Sequence, residues 1–328
     1  MNAATKAPAA PGRADLKVII LVPAALLVLA VLPFILPTYQ VSVATQILIF
    51  AVLAMSIDVL AGYAGRTSLC HGAIFGVSTY VVLYGSTVAG LPVLASMVFG
   101  VLAATVLAAV FGVLAVRTSG VYFLLLTLAL GLIVWGVCLR WTAVTGGENG
   151  LRGQLQVGAF AQPRALYLAV LAGAAVLSFG MWRFVHSPFG LTLRGIKDSE
   201  SRMRSLGYNV PLHLVIAFTV SGFFAGMAGA MYAVFNNFVS PSTVQLSQSV
   251  AGLLMAIVGG IGTLFGSVVG AFLIIALEQA VSLYTERWLM VLGAMFVLIM
   301  IFAPEGVVGK ARALLPGAHN GGVDNDGS

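Results

Sequence analysis

The sequence predicts an all-α polytopic membrane protein with about ten transmembrane helices, some of them broken at glycine-rich positions. Three observations carry this. Lys+Arg total 16 and Asp+Glu 10 in 328 residues, so 8% of the side chains are charged, where a soluble globular chain carries about 25%. Hydrophobic residues reach 60% and the mean hydropathy is +1.06, which leaves too little polar surface to cover a water-soluble particle. Finally, Thr67 to Val116 (50 residues) and Ser205 to Leu277 (73 residues) contain no Asp, Glu, Lys or Arg. About 20 apolar residues cross a bilayer core, so each stretch holds more than one crossing. The apolar runs are continuous rather than alternating, which favours helices over a barrel.

Taken in order, residues 1–17 are Ala/Pro-rich with Lys6, Arg13 and Lys17, and read as a cytoplasmic tail. Val18–Leu36 is too long for the apolar core of a signal peptide and reads as an uncleaved first helix. Further spans are predicted over Val41–Ala61, Leu69–Ala89, Leu91–Val116, Gly120–Leu139, Ala165–Trp182 and Leu214–Val234. Then come a short, glycine-ended Val250–Gly260, Thr263–Ala280 and Trp288–Ala303. Together, 18–304 forms one membrane domain with a polar inner loop over 183–213, and 305–328 reads as a disordered cytoplasmic tail.

The distribution of cations tests this count. With the N-terminus inside and ten crossings, Lys6, Arg13, Lys17, Arg66, Arg117, Arg183, Arg194, Lys197, Arg202, Arg204, Lys310 and Arg312 fall on the inner side. Arg140, Arg152, Arg164 and Arg287 fall outside. Twelve against four places both termini in the cytoplasm and accounts for the net charge of +6 without a nucleic-acid partner.

The chain carries little chemistry of its own. Cys70 and Cys138 lie in apolar segments and form no disulfide framework, and no zinc-type Cys/His spacing occurs. A phosphate-binding Walker loop needs Gly-Lys-Ser/Thr, but the lysines are followed by Ala7, Val18, Asp198 and Ala311. No nucleophile–base pair and no metal cluster is evident, so the chain is not expected to be an enzyme or to hold a cofactor. If it drives transport, the energy comes from a partner or from an ion gradient, with Asp58 or Glu278 as coupling groups.

Four segments stand out. In the inner loop, Ser187 caps a helix that has Pro188 at its first position, Asp198 begins a second short helix, and Gly207 ends it. This helix pair either docks a partner or serves as a solvated connector. The second segment, Ala61 to Gly72, is dense in glycine and follows Asp58, a charge expected to avoid lipid. It reads either as a helix break lining a path, through Asp58, Gly62, Gly65, Arg66, Ser68 and His71, or as a tight turn with a hydrogen-bonded His71. In the third, Gly262, Gly266 and Gly270 recur every four residues on one helix face, as do Gly222 and Gly226, which suits close helix packing. The fourth is an outer loop, Thr145-Gly146-Gly147-Glu148-Asn149-Gly150-Leu151.

Together these residues resemble a known family. Gly62-Tyr63-Ala64-Gly65 with Ser68-Leu69 and His71, Thr145-Gly146-Gly147 with Asn149-Gly150-Leu151, and Ser187-Pro188 with Gly190, Arg194, Ile196, Asp198, Glu200 and Gly207 occur in order. Ala225-Gly226 with Ala228-Gly229-Ala230, and Val258-Gly259-Gly260 with Gly262-Thr263, Gly266 and Gly270, complete the set. The chain is similar, from about Ile47 to Gly306, to LivM-type permeases of bacterial branched-chain amino-acid ABC importers. The resemblance implies a multi-pass inner-membrane subunit that works with a second related permease, two cytoplasmic ATPases that bind ATP and Mg, and an external binding protein. It implies that Gly190, Arg194, Asp198, Glu200 and Gly207 belong to a loop seated in the ATPase. Leu, Ile and Val are the implied substrates, with urea or amides carried by relatives. Arg66 stands where the family usually has Gln, Cys70 where it has Gly, and Leu191 where Arg is common. Ser201-Arg202-Met203 replaces a small, apolar stretch.

Overall fold

The computed structural model describes residues 27–156 and 161–282, with isolated positions between 290 and 309. The expected tails at 1–17 and 305–328 and the last span, Trp288–Ala303, therefore lie almost wholly outside the described residues, as does the first half of Val18–Leu36.

The described elements are helical apart from one two-residue ladder. They are α1 (27–35), α2 (Thr38–Asp58), α3 (His71–Thr87), α4 (Val93–Ala115), α5 (Gly120–Arg140) and the short α6 (Thr142–Thr145). Next come β1 (Leu151–Arg152), α7 (Pro163–Val185), α8 (Pro188–Asp198), α9 (Glu200–Ser205) and α10 (Val210–Asn236). The last are β2 (Phe238–Val239), α11 (Pro241–Val244), α12 (Leu246–Gly259) and α13 (Gly266–Ser282). Among the described residues, five helical stretches are long and apolar enough to cross a membrane: Thr38–Tyr63, Val93–Ala115, Gly120–Arg140, Pro163–Val185 and Val210–Asn236. The molecule is thus a helical membrane protein. Two further apolar helices, α12 and α13, are shorter, and so is α3 at 17 residues.

The late start of α3 has a physical cause. After α2 the helix widens into a π turn, Val59–Tyr63, and the chain then runs without helix to Cys70. A predicted span from Leu69 therefore begins as a helix at His71. The first amides of that helix need acceptors, and the backbone N–H of Gly72 donates to the Ser249 hydroxyl of α12 at 2.9 Å.

The core is built on α10, which packs against α2, α3 and α4. Small residues allow this. A Cβ on Gly222 would strike the Cβ of Ala108, one on Gly226 would lie 2.6 Å from the Cβ of Ala104, and one on Gly229 would strike the Phe75 carbonyl. The hydroxyls of Ser78 and Thr79 donate to the carbonyls of Gly226 and Gly229 at 2.7 and 3.0 Å, which adds polar bonds to the close approach. The rims of α4 and α5 instead expose Leu94, Val106, Val121, Tyr122 and Ile133, as lipid-facing surface would.

The two ends of the bundle differ. At one lie α8 and α9, which carry Arg194, Lys197, Arg202 and Arg204, with Arg66 paired to Glu200. At the other, β1 and β2 pair antiparallel (Leu151 with Val239, Arg152 with Phe238), and Arg152 covers the Phe238 ring at 5.2 Å.

Candidate functional site

The polar inner loop folds into two short helices. The Ser187 hydroxyl accepts from the Gly190 N–H at 3.3 Å and donates to the Phe184 carbonyl at 2.6 Å, with Pro188 at the first position of α8. A Cβ on Gly190 would strike the Val185 carbonyl, so the corner between α7 and α8 requires glycine there. On α8, Gly190, Leu193 and Ile196 are buried at three-residue spacing, and Leu191 is 61% exposed on the other face. Asp198 does not open the second helix as expected. It ends α8, and the next residue, Ser199, caps α9 by accepting from the Arg202 N–H at 3.3 Å. Ser199 has the extended backbone that an N-cap requires, and its hydroxyl takes the orphan amide. Gly207 takes φ +88 just past α9. Its N–H donates to the Arg204 carbonyl and that of Tyr208 to Met203, a Schellman closure. Phe184, Phe189, His213 and Tyr208 contact one another in series, with Phe189 stacked on His213, and seat the pair on the start of α10.

This helix pair reaches into the glycine-rich break at three points. Lys197 Nζ donates to the Gly62 carbonyl at 2.8 Å. The Arg194 guanidinium lies over the Tyr63 ring at 4.9 Å. Glu200 forms an ion pair with Arg66, whose other nitrogen donates to the Thr118 carbonyl in the α4–α5 turn at 2.9 Å. Gly65, at φ +69, lies against the aliphatic part of Lys197.

The break in turn grips a second turn. Asp58 is fully buried, and its two carboxylate oxygens accept the backbone N–H groups of Gly262 (2.6 Å) and Leu264 (2.9 Å). A Cβ on Gly62 would come within 2.5 Å of both Asp58 Oδ1 and the Gly262 nitrogen, so this contact requires glycine. The expectation that Gly262 shares a packing face with Gly266 and Gly270 is therefore corrected. Gly262 sits at φ +84 in the turn between α12 and α13, and the helix starts at Gly266. The four-residue spacing was the same, but the buried carboxylate of Asp58 takes the backbone amides of this stretch. Gly266 and Gly270 do lie against α12, where added Cβ atoms would strike the carbonyls of Gly259 and Met255.

Deeper in the bundle runs a chain of hydrogen bonds. The Ser221 hydroxyl donates to the Ser56 carbonyl at 2.5 Å, so its oxygen is left to accept from His71 Nε2 at 2.7 Å. His71 Nδ1 then accepts from the Ser68 hydroxyl at 3.2 Å. Both nitrogens of this fully buried imidazole are thus satisfied, and α2, the break, α3 and α10 are tied together. Asp58, Gly62, Gly65, Arg66, Ser68 and His71 therefore fall into two layers. One faces the polar helix pair, and the other lies inside the bundle. Sequence reasoning did not single out Lys197, Thr118, Ser221 or Ser249. Their partners lie dozens to hundreds of residues away and leave no local pattern.

Among the described residues no three His, Cys, Asp or Glu side chains are placed to hold a metal. Comparison with known proteins decides the family. Residues 39–300 match the family described as "Branched-chain amino acid transport system / permease component". The chain belongs to this permease family. The high-affinity branched-chain amino acid transport system permease protein LivM of Escherichia coli (strain K12) is 28% identical over 89% of this chain and 75% of that protein. The high-affinity branched-chain amino acid transport system permease protein LivH of Salmonella typhimurium is 22% identical over 80% of this chain and 91% of that protein. The autoinducer 2 import system permease protein LsrC of Klebsiella pneumoniae is 28% identical over 54% of this permease and 53% of that one. No solved structure matches the chain.

Proposed function

We propose that this permease is the membrane-embedded subunit of an ATP-driven importer of branched-chain amino acids in the bacterial inner membrane. The observation that carries it is the polar helix pair. α8 and α9 present Leu191, Leu206 and Arg202 to solvent at the cation-rich end, while Arg194, Lys197 and Glu200 reach back into the helix break. Such an element suits docking in a groove of a cytoplasmic ATPase and passing its movement inward. The excess of Arg and Lys at that end supports a cytoplasmic position, with ten crossings and both termini inside. The membrane domain then covers 18–304, flanked by the two tails.

In this reading the chain contributes no catalytic group. ATP and Mg are held by two ATPase subunits, and a second related permease completes the passage. An external binding protein selects the solute. Leu, Ile and Val need a smooth apolar path more than polar contacts. Movement of α8 and α9 shifts the break and, through Asp58, the turn between α12 and α13, so that access alternates between the two sides.

The test is uptake by vesicles containing both permeases, the ATPases and the binding protein. Leucine should accumulate with ATP and not with ADP, and Ile and Val should compete while urea and amides do not. Leucine accumulation by this chain alone under a proton gradient would replace the ATP-driven reading with ion coupling. Competition by autoinducer 2 instead of Ile and Val would reassign the substrate.

A further inference from the structure

Of the three contacts between the helix pair and the break, two are made by exposed side chains, although Lys197 also acts on the buried Asp58 carboxylate. Lys197 makes one hydrogen bond to a carbonyl, and Arg194 rests on a ring from an exposed position. The third is different. Arg66 and Glu200 form an ion pair between elements 134 residues apart, with side chains 7% and 34% exposed. Arg66 also holds the Thr118 carbonyl and lies 5.6 Å from the Phe123 ring of α5. One guanidinium thus joins α9, the helix break, the α4–α5 turn and α5. The second oxygen of Glu200 meets Arg204, 3.4 Å away and 62% exposed, so among the described residues the ion pairs form one chain running from solvent to a buried cation. Removing Glu200 leaves the Arg66 guanidinium buried without its carboxylate, which is costly, whereas removing Arg66 leaves Glu200 part-exposed and still facing Arg204. α9 therefore cannot shift without carrying Arg66 along or breaking this pair.

We infer that Arg66 and Glu200 are the positioning residues that convert displacement of α8 and α9 into movement of the helix break. Resting on the ATP-driven reading, this assigns the transmission to one pair on the inward side of the docking element. Lys197 and Arg194 align the helices, and the ion pair pulls.

The experiment uses the complete complex in vesicles and reads ATP hydrolysed per leucine imported. Arg66→Gln and Glu200→Gln keep side-chain size and some hydrogen bonding while removing one charge each. Each should raise the ratio by roughly fivefold or more, the scale of an ordinary coupling free energy. The double variant should be no worse than either single one, because the pair acts as a unit. Arg66→Lys, which keeps the charge, should fall closer to the wild type, and the ATPase subunits should remain bound in all variants. Wild-type ratios in both single variants, or effects that multiply in the double variant, would overturn the inference. So would loss of bound ATPase, which would make the pair a docking contact instead. If the wild-type complex imports nothing with ATP, the proposed function itself fails, and the wild-type arm alone decides that.

Discussion

Along α10, Gly222, Gly226 and Gly229 stay in an unbroken helix and let α4 and α3 approach its backbone. Between Gly259 and Gly270 a similar density of glycine ends one helix, makes a turn and starts another. The difference lies in what each stretch meets. α10 meets the methyl groups of Ala104 and Ala108 and a carbonyl of Phe75, so its glycines are needed for space. The turn meets a buried carboxylate, Asp58, which takes two backbone N–H groups that a continuing helix would need for its own carbonyls. Small residues set how close a backbone can come. The partner decides whether that backbone remains a helix.

The comparison breaks first, and most heavily, at Gly229. A methyl group there falls on the Phe75 carbonyl, an atom fixed by its own helix that cannot swing aside. Gly229→Ala should cost about 3 kcal/mol, the upper part of the usual range for overpacking. Unfolding in mixed detergent measures it, and wild-type stability would show that α10 and α3 do not approach this closely. Asp58→Asn tests the other region and should be milder. The amide keeps one acceptor oxygen for two N–H donors, so one buried amide is left unpaired at a cost of about 2 kcal/mol. Faster hydrogen exchange at Gly262 or Leu264, with α10 unaffected, would place the loss at the turn. Equal loosening of both regions would mean that Asp58 supports the whole bundle.

The long crossings were legible because the signal is compositional. Five apolar stretches appear close to where hydropathy put them, and Ser187-Pro188 and Gly207 bound the polar helix pair as their chemistry requires. What the sequence hid was pairing at a distance. Ser249 caps α3 from α12, and Glu200 reaches Arg66 from 134 residues away. Neither Ser249 nor Lys197 differs from ordinary polar residues until the fold brings its partner close. The misplaced start at Asp198 and the misread Gly262 share this origin: local spacing allowed two answers, and a tertiary or backbone contact chose one.

The finest test of the comparison is at Gly262, where the two regions make opposite demands. Nothing but the Gly62 backbone, at 3.6 Å and beyond, lies near a Cβ built on Gly262, so space is available there, unlike at Gly229. The demand is conformational, since φ is +84 and an L side chain is strained in that region by roughly 1–2 kcal/mol. Gly262→Ala should therefore lower stability by about 1 kcal/mol. Gly262→Asn, although larger, should do less harm, because Asn accepts left-handed backbone more readily than Ala. If the loss grew with side-chain size instead, with Asn worse than Ala, the turn would be limited by space after all. The distinction between a glycine that makes room and a glycine that permits a bend would then fail at Gly262.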